Sequence, residues 1–360
     1  MRTITADDLA DLARGAAVLG TGGGGDPHVG RLLAEAALRE HGPVTLVGVD
    51  EVPDDAVVLP VAMMGAPTVM VEKLPSVDQV GSAVRALARY LGRTPTHLAC
   101  IEAGGVNSTI PFVAAAQLGL PLVDGDGMGR AFPELQMVLP TLAGVAATPM
   151  AIVDEKGNRG VLETVDNNWA ERLARTATID MGCSSIISLY AMSGVQLRGG
   201  WVAGTLSLCD RIGRTIREAR AAHDDPVAAV AGVLGARVLH TGKVVDVARR
   251  TATGFARGEG TVEGLGEDVG HRVVLHFQNE HLIAERDGGI EATTPDLIIV
   301  LESDTGEPIT TEGLRFGQRV SVLAAPCDPR WHTEGGLELV GPRYFGYDTE
   351  PVRAVREAVA

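Results

Sequence analysis

The chain has 360 residues, 45% of them hydrophobic and 21% charged, and a formal net charge of −15. That is a globular composition with room for two domains, and the anionic surplus, with no basic stripe interleaved with aromatics, excludes nucleic acid as the main partner. The four cysteines, Cys100, Cys183, Cys209 and Cys327, are scattered with no C-x-x-C spacing. They form neither a zinc knuckle nor a disulfide framework, and a reducing cytoplasm is the expected compartment.

The opening residues are acidic and lack an apolar core, so no secretory signal is expected. Thr5 with Asp8 reads as a capping box for a helix over Ala6–Leu19. After the glycine run Gly20–Gly25, Asp26 is placed to cap a second helix with Pro27 at its first position. Strand-like runs follow at Val44–Val49 and Ala56–Met63, then a helix at Ser76–Leu91, a strand at His97–Glu102 and a helix at Ser108–Leu118. A short strand, Pro121–Val123, leads into Asp124-Gly125-Asp126. This alternation predicts an α/β fold, a helix-covered, mixed and largely parallel sheet.

The uncharged run Leu135–Val153 is long enough to raise the membrane question, but its prolines and glycine favour a buried loop-and-strand segment. A hairpin over Met150–Val165 turns on Glu155–Asn158, and helices at Asn168–Thr178, Leu206–Ala222 and Pro226–Leu234 complete this part. From about His240 the texture becomes strand after strand between Gly, Asp and Asn turns. The runs are Lys243–Ala248, Gly254–Val262, Arg272–Gln278, His281–Arg286, Leu297–Leu301 and Arg319–Ala324, with Asn279-Glu280 as a hairpin turn. The expected division is an α/β catalytic domain, 1–240, and a second, smaller β-rich domain, 241–360.

Three constellations can carry chemistry. Gly20–Gly25 formally satisfies G-x-G-x-x-G, yet a helix precedes it and no strand is expected before it, so no nucleotide is expected. Backbone amides bare of side chains beside a helix N-terminus still favour an anion or a polar carbonyl. Gly22, Gly23, Gly24 and Gly25, with His28 on the next turn, are therefore candidate substrate-binding residues, a tight helix–helix turn being the alternative. The second constellation is Glu102, Asn107, Asp124, Asp126 and Arg130. If the two strands are parallel, the carboxylates emerge at one sheet edge, where open α/β folds place their sites. Asp124 and Asp126 can hold a divalent metal such as zinc, or one carboxylate can act as a base. Arg130 can neutralise the cluster or clamp a polar substrate. The alternative has Asp124 capping a turn and Asp126 pairing with Arg130. Third, Cys183 is placed to present a thiol at the N-terminus of a following helix, against the commoner fate of a buried small hydrophobe.

The segments VLGTGGGGDPHVG, EAGGVNS and LPLVDGDGMGRAFPELQM, with LHTGKVVDV and PRYFGYD further on, resemble the S-methyl-thiohydantoin desulfurase family over essentially the whole chain. The resemblance implies a hydrolase that acts on a five-membered cyclic isothiourea, releasing methanethiol and leaving a hydantoin. On that reading Asp126 with Asp124 activates water or holds a metal, and Glu102 is the second carboxylate. The glycine loop, Asn107 and Arg130 bind the ring. A non-catalytic hydantoin-binding partner subunit and a ring-opening amidohydrolase are the competing readings. The expected partners are a small cyclic substrate and, from the uncharged stretches Leu135–Val153 and Cys183–Leu197, further copies in a homo-oligomer, with no membrane association.

Overall fold

The computed structural model describes residues 1–65, 69, 77–252 and 255–354. Its first sheet runs, in spatial order, β1 (Arg2–Ile4), β2 (Val44–Gly48), β5 (Leu122–Asp126), β4 (His97–Cys100), β3 (Val58–Gly65), β8 (Ser184–Ser188), β6 (Met150–Val153) and β7 (Arg159–Leu162). A two-residue β9 (Val202–Ala203) adds to β5. The centre of the sheet, β2, β5, β4 and β3, is parallel. The remaining pairings are antiparallel.

Strand β3 shows why the sheet is covered on both sides. Val58 to Met64 are all buried, as an unbroken apolar run requires. Their side chains alternate: Leu59, Val61 and Met63 enter one core, and Val58, Ala62 and Met64 the other. Six helices supply the first core: α1 (Leu9–Leu19), α2 (Pro27–His41), α3 (Val77–Leu91), α4 (Ile110–Leu118), α8 (Thr205–Ala222) and α9 (Pro226–Leu234). The second core lies under α5 (Leu139–Leu142), α6 (Asn167–Asp180), α7 (Gly194–Gly200) and the loop before α5. The Asp26 carboxylate caps α2, accepting from the His28 amide at 2.9 Å, with Pro27 as its first residue.

After α9 (Pro226–Leu234) comes the second sheet, all antiparallel. Its order is β14 (Gly289–Thr293), β13 (Glu280–Arg286), β12 (Arg272–Gln278), β11 (Phe255–Gly264), β10 (Arg237–Ala252), β16 (Arg319–Ala325) and β15 (Leu297–Glu302). One face closes its own small core around Val244, Val262, Leu275 and Val322. Leu297, Ile299, Leu301, Leu323 and Ala325, on the other face of β15 and β16, pack into the core of the first sheet. The two sheets thus share apolar surface, which is what holds one domain in a fixed register on the other. A short helix, α10 (Glu334–Val340), follows β16.

A mixed α/β domain and a smaller antiparallel β-rich one match the expected fold class. Several boundaries differ. A strand does precede the glycine loop: β1 pairs with β2, although α1 separates it from the loop. Asp124 and Asp126 lie within β5 rather than beyond it, and Glu102 lies past the end of β4. Strands β8 and β14 had no expectation. Cys183 has φ +63 and leads into β8, so it stands at no helix N-terminus. Ser76 and Gly254, the expected starts of a helix and a strand, lie outside the described residues. The uncharged stretches proposed as subunit surface are spent inside the chain, β6 and β8 being entirely buried. They therefore carry no argument for an oligomer. Among the described residues, no helix is long and apolar enough to cross a membrane.

Candidate active site

The C-terminal edge of the parallel strands opens into a cavity of about 730 Å³ including its mouth. Its polar end is made by Gly24, Glu102, Asn107, Asn279 and Glu280, from both domains. Its apolar wall includes Met63, Met64, Ile101, Met128 and Phe132. Glu134 and the ion pair Glu171–Arg175 of α6 also line the cavity.

Glu102 reaches the cavity because β4 ends at Cys100 and the chain turns into the Gly104-Gly105 bend. Its carboxylate accepts from Asn107 Nδ2 at 2.9 Å. Asn107 is itself locked, its Oδ1 accepting from the Met63 amide at 2.7 Å. Burial, and then the charge of Glu280, push the Glu102 carboxyl well above the usual range, which favours its neutral form. Glu280 comes from the second domain. Asn279, with φ +58, forms the tight link between β12 and β13 and delivers Glu280 inward. Glu280 is 2% exposed, and its Oε2 has no hydrogen-bond partner. Burial raises its pKa from 4.5 to about 7, against the opposing charge of Arg130.

The glycine loop is the seam between the domains. The Gly22 carbonyl accepts from the Thr311 amide at 2.7 Å, and the Thr21 carbonyl from the His281 amide at 2.8 Å. The Gly24 carbonyl accepts from the Val106 amide at 2.9 Å. A β-carbon on Gly23 would be driven into the carboxylate of Glu280. Gly24 has φ +70 and lies against Gly104 and Gly105, so neither a side chain nor ordinary backbone dihedrals fit there. The run of glycines thus lets the backbone approach the Glu280 carboxylate and the Gly104-Gly105 bend at once.

The expected site residues therefore divide. Gly24, Glu102 and Asn107 line the cavity. Gly22, Gly23 and Gly25 lie behind Gly24, along a narrow cleft with Thr311 and Glu312. His28 does not line the cavity; it faces a separate groove with Arg14, Arg31 and Glu307. Asp126 is fully buried behind the cavity, accepting from the amides of Ala103 at 2.8 Å and Gly129 at 2.9 Å. It holds the bend that carries Glu102, and burial raises its own pKa to about 7. Asp124 accepts from the Ser207 amide at 3.0 Å and from its hydroxyl, bracing the start of α8. Arg130 is fully buried and lines no part of the cavity. Its guanidinium donates to Thr21 Oγ1 at 2.7 Å and to the carbonyls of Pro295 at 3.1 Å and Asp296 at 2.7 Å. It also stacks over Phe132, 4.6 Å from the ring centroid.

Asp124 and Asp126 belong to no cluster of three metal-ligating side chains among the described residues. The oxygens of Asp126 are turned to N–H donors, which repel a cation from the same place. One group that can coordinate a metal is instead Asp296, Cys327 and His332. Glu280 was read only as part of a turn. An acidic residue after Asn at a hairpin tip looks solvent-exposed in sequence, and only the docking of the second sheet buries it.

Fold and cavity together define a two-domain α/β protein with an acidic cleft at the domain junction. The chain belongs to the S-Me-THD-like family, with residues 7–164 matching its N-terminal domain and 165–354 its C-terminal domain. The family boundary falls within the first sheet, between β7 and α6, whereas the second sheet begins at Arg237. A crystal structure of a protein from Chromobacterium violaceum has a similar fold, with a TM-score of 0.83 and 25% sequence identity. The match covers 98% of this chain and 99% of that one. No curated protein matches. Family membership supports a hydrolase-type enzymatic activity on a small cyclic substrate.

Proposed function

We propose that the protein is a desulfurase that hydrolyses an S-methyl-thiohydantoin to a hydantoin and methanethiol. The observation that carries this reading is the pair Glu102 and Glu280, two buried carboxyl groups from different domains lining one cavity, each with its proton affinity raised by burial. A protonated acid beside a carboxylate poised near neutrality is what addition–elimination at a ring C=N carbon requires.

The steps follow from those two states. Ionised Glu280 takes a proton from water as its oxygen bonds to the ring carbon bearing sulfur. The C=N electron pair moves to the ring nitrogen, which receives the proton of Glu102. The tetrahedral centre then collapses: its hydroxyl proton returns to Glu102, the C–S bond breaks, and methanethiolate leaves with the proton held by Glu280. Both carboxyls are restored. Asn107 orients Glu102, and the Gly24 backbone and the glycine loop behind it bear on the polar edge of the ring. The apolar wall at Met64, Met128 and Phe132 suits a soft S-methyl group.

Asp126 acts in this scheme by fixing the Glu102 bend, Asp124 by fixing α8, and Arg130 by fixing the glycine loop. A divalent ion such as zinc fits the donor set of Asp296, Cys327 and His332; none of the three lines the cavity, and no step is routed through it.

The test is thiol release from S-methyl-thiohydantoin rings by the purified protein, with product analysis. Stoichiometric methanethiol and hydantoin are expected. A ring-opened product, or ring binding with no thiol from any ring tried, overturns the reading.

A further inference from the structure

The antiparallel pairing of β15 with β16 sets Leu297 opposite Ala325. The residue before one strand and those after the other must therefore be neighbours, and they are Asp296 and Cys327. A 3-10 turn at Pro329–His332 then brings His332 back to the same point. The ligand atoms of these three side chains lie within 4.8 Å of one another. His332 Nε2 is 2.8 Å from Asp296 Oδ1, and Asp296 is 1% exposed.

We propose that Asp296, Cys327 and His332 bind one zinc-class divalent ion, which acts as a clamp at the base of the domain junction and takes no part in the chemistry. Chemistry selects the ion. A thiolate, an imidazole and a carboxylate together favour zinc, whereas calcium and magnesium take oxygen ligands alone. One thiolate and one carboxylate balance a divalent charge, so the occupied site is neutral.

Position assigns the role. Asp296 Oδ2 accepts from the Ala354 amide at 2.6 Å, tying down the end of the described chain. The Asp296 carbonyl accepts from Arg130 at 2.7 Å, and the same guanidinium holds Thr21 of the glycine loop. An ion at Asp296 thus stiffens the support of the loop from behind.

The experiment is metal analysis of the full-length protein purified without chelator, needing no substrate, so that it stands or falls apart from the desulfurase reading. About one zinc per chain is expected, falling at least ~tenfold in Cys327→Ala and in His332→Ala. Exchange into cobalt is expected to produce a thiolate-to-metal charge-transfer band in the unmutated protein, which does not depend on whether the variants fold. Chelation is expected to lower the thermal midpoint, and zinc to restore it. Protein that has no stoichiometric metal and whose midpoint ignores both treatments overturns the proposal. So does metal retained by both variants, or bound cobalt with no thiolate band.

Discussion

At the scale of single residues, Glu280 concentrates the physics of the site. A carboxyl whose pKa rises from 4.5 to about 7 on folding stabilises the fold while it stays protonated. That contribution is complete below pH 4.5 and is lost as pH rises through about 7, because ionisation in the cavity is uphill. Glu280→Gln, which cannot ionise, is therefore expected to be more stable than the parent at pH 8 by up to about 3 kcal/mol. The gap should close below pH 4.5, and urea melts at the two pH values measure it. The same substitution should cost about 10²-fold or more in thiol release, because the water loses its base. Retained rate would remove Glu280 from the mechanism, whatever the melts show. In the parent, kcat/KM is expected to rise with pH through about 7 as Glu280 ionises and to fall again where Glu102 loses its proton. Glu102→Gln should abolish the alkaline limb along with most of the rate.

Among elements, the glycine loop between α1 and α2 has the sharpest steric requirement. At Gly23 any β-carbon meets the Glu280 carboxylate, so Gly23→Ala must displace either the loop or the acid. We expect a loss of about 1–3 kcal/mol in stability and a larger proportional loss of kcat than of substrate affinity, since the acid moves before the pocket does. Steady-state kinetics with a urea melt separate the two. Unchanged kcat would mean that the loop is only a connection. The loop resembles a nucleotide-binding turn in composition, yet its carbonyls accept from the amides of His281, Thr311 and Val106, and its Thr21 and Gly23 amides donate to the carbonyls of Val18 and Gly20. The glycines serve close packing at a domain seam.

For the molecule as a whole, Arg130 is the cross-brace. It starts in the loop after β5, crosses to Thr21, and ends on the carbonyls before β15. Arg130→Met keeps much of the volume but removes the donor from four buried acceptors, on Ala131, Pro295, Asp296 and Thr21, and is expected to cost about 3 kcal/mol or more. It also removes the positive charge that opposes the upward shift of Glu280, so the acidic limb of the kcat/KM profile should move above its position near 7. A limb that stays in place would break the link between the brace and the acid.

The amino-acid pattern alone determined most of the architecture, because periodicity, caps and turns are local. The β3 run, the Asp26–Pro27 helix start and the hairpin around Glu155–Asn158 were all legible for that reason. It also marked Glu102, Asn107 and the glycine loop, since a carboxylate or a glycine run at a strand or helix end is visible in one dimension. What only the tertiary structure decided is which polar groups face the same space. Asp124, Asp126 and Arg130 looked like the chemistry but are turned into the scaffold, because neighbouring amides and carbonyls inside the fold need partners. Glu280 stands 178 positions after Glu102 in the chain, and burial by the other domain, which no local pattern encodes, gives its carboxyl a proton affinity near neutrality.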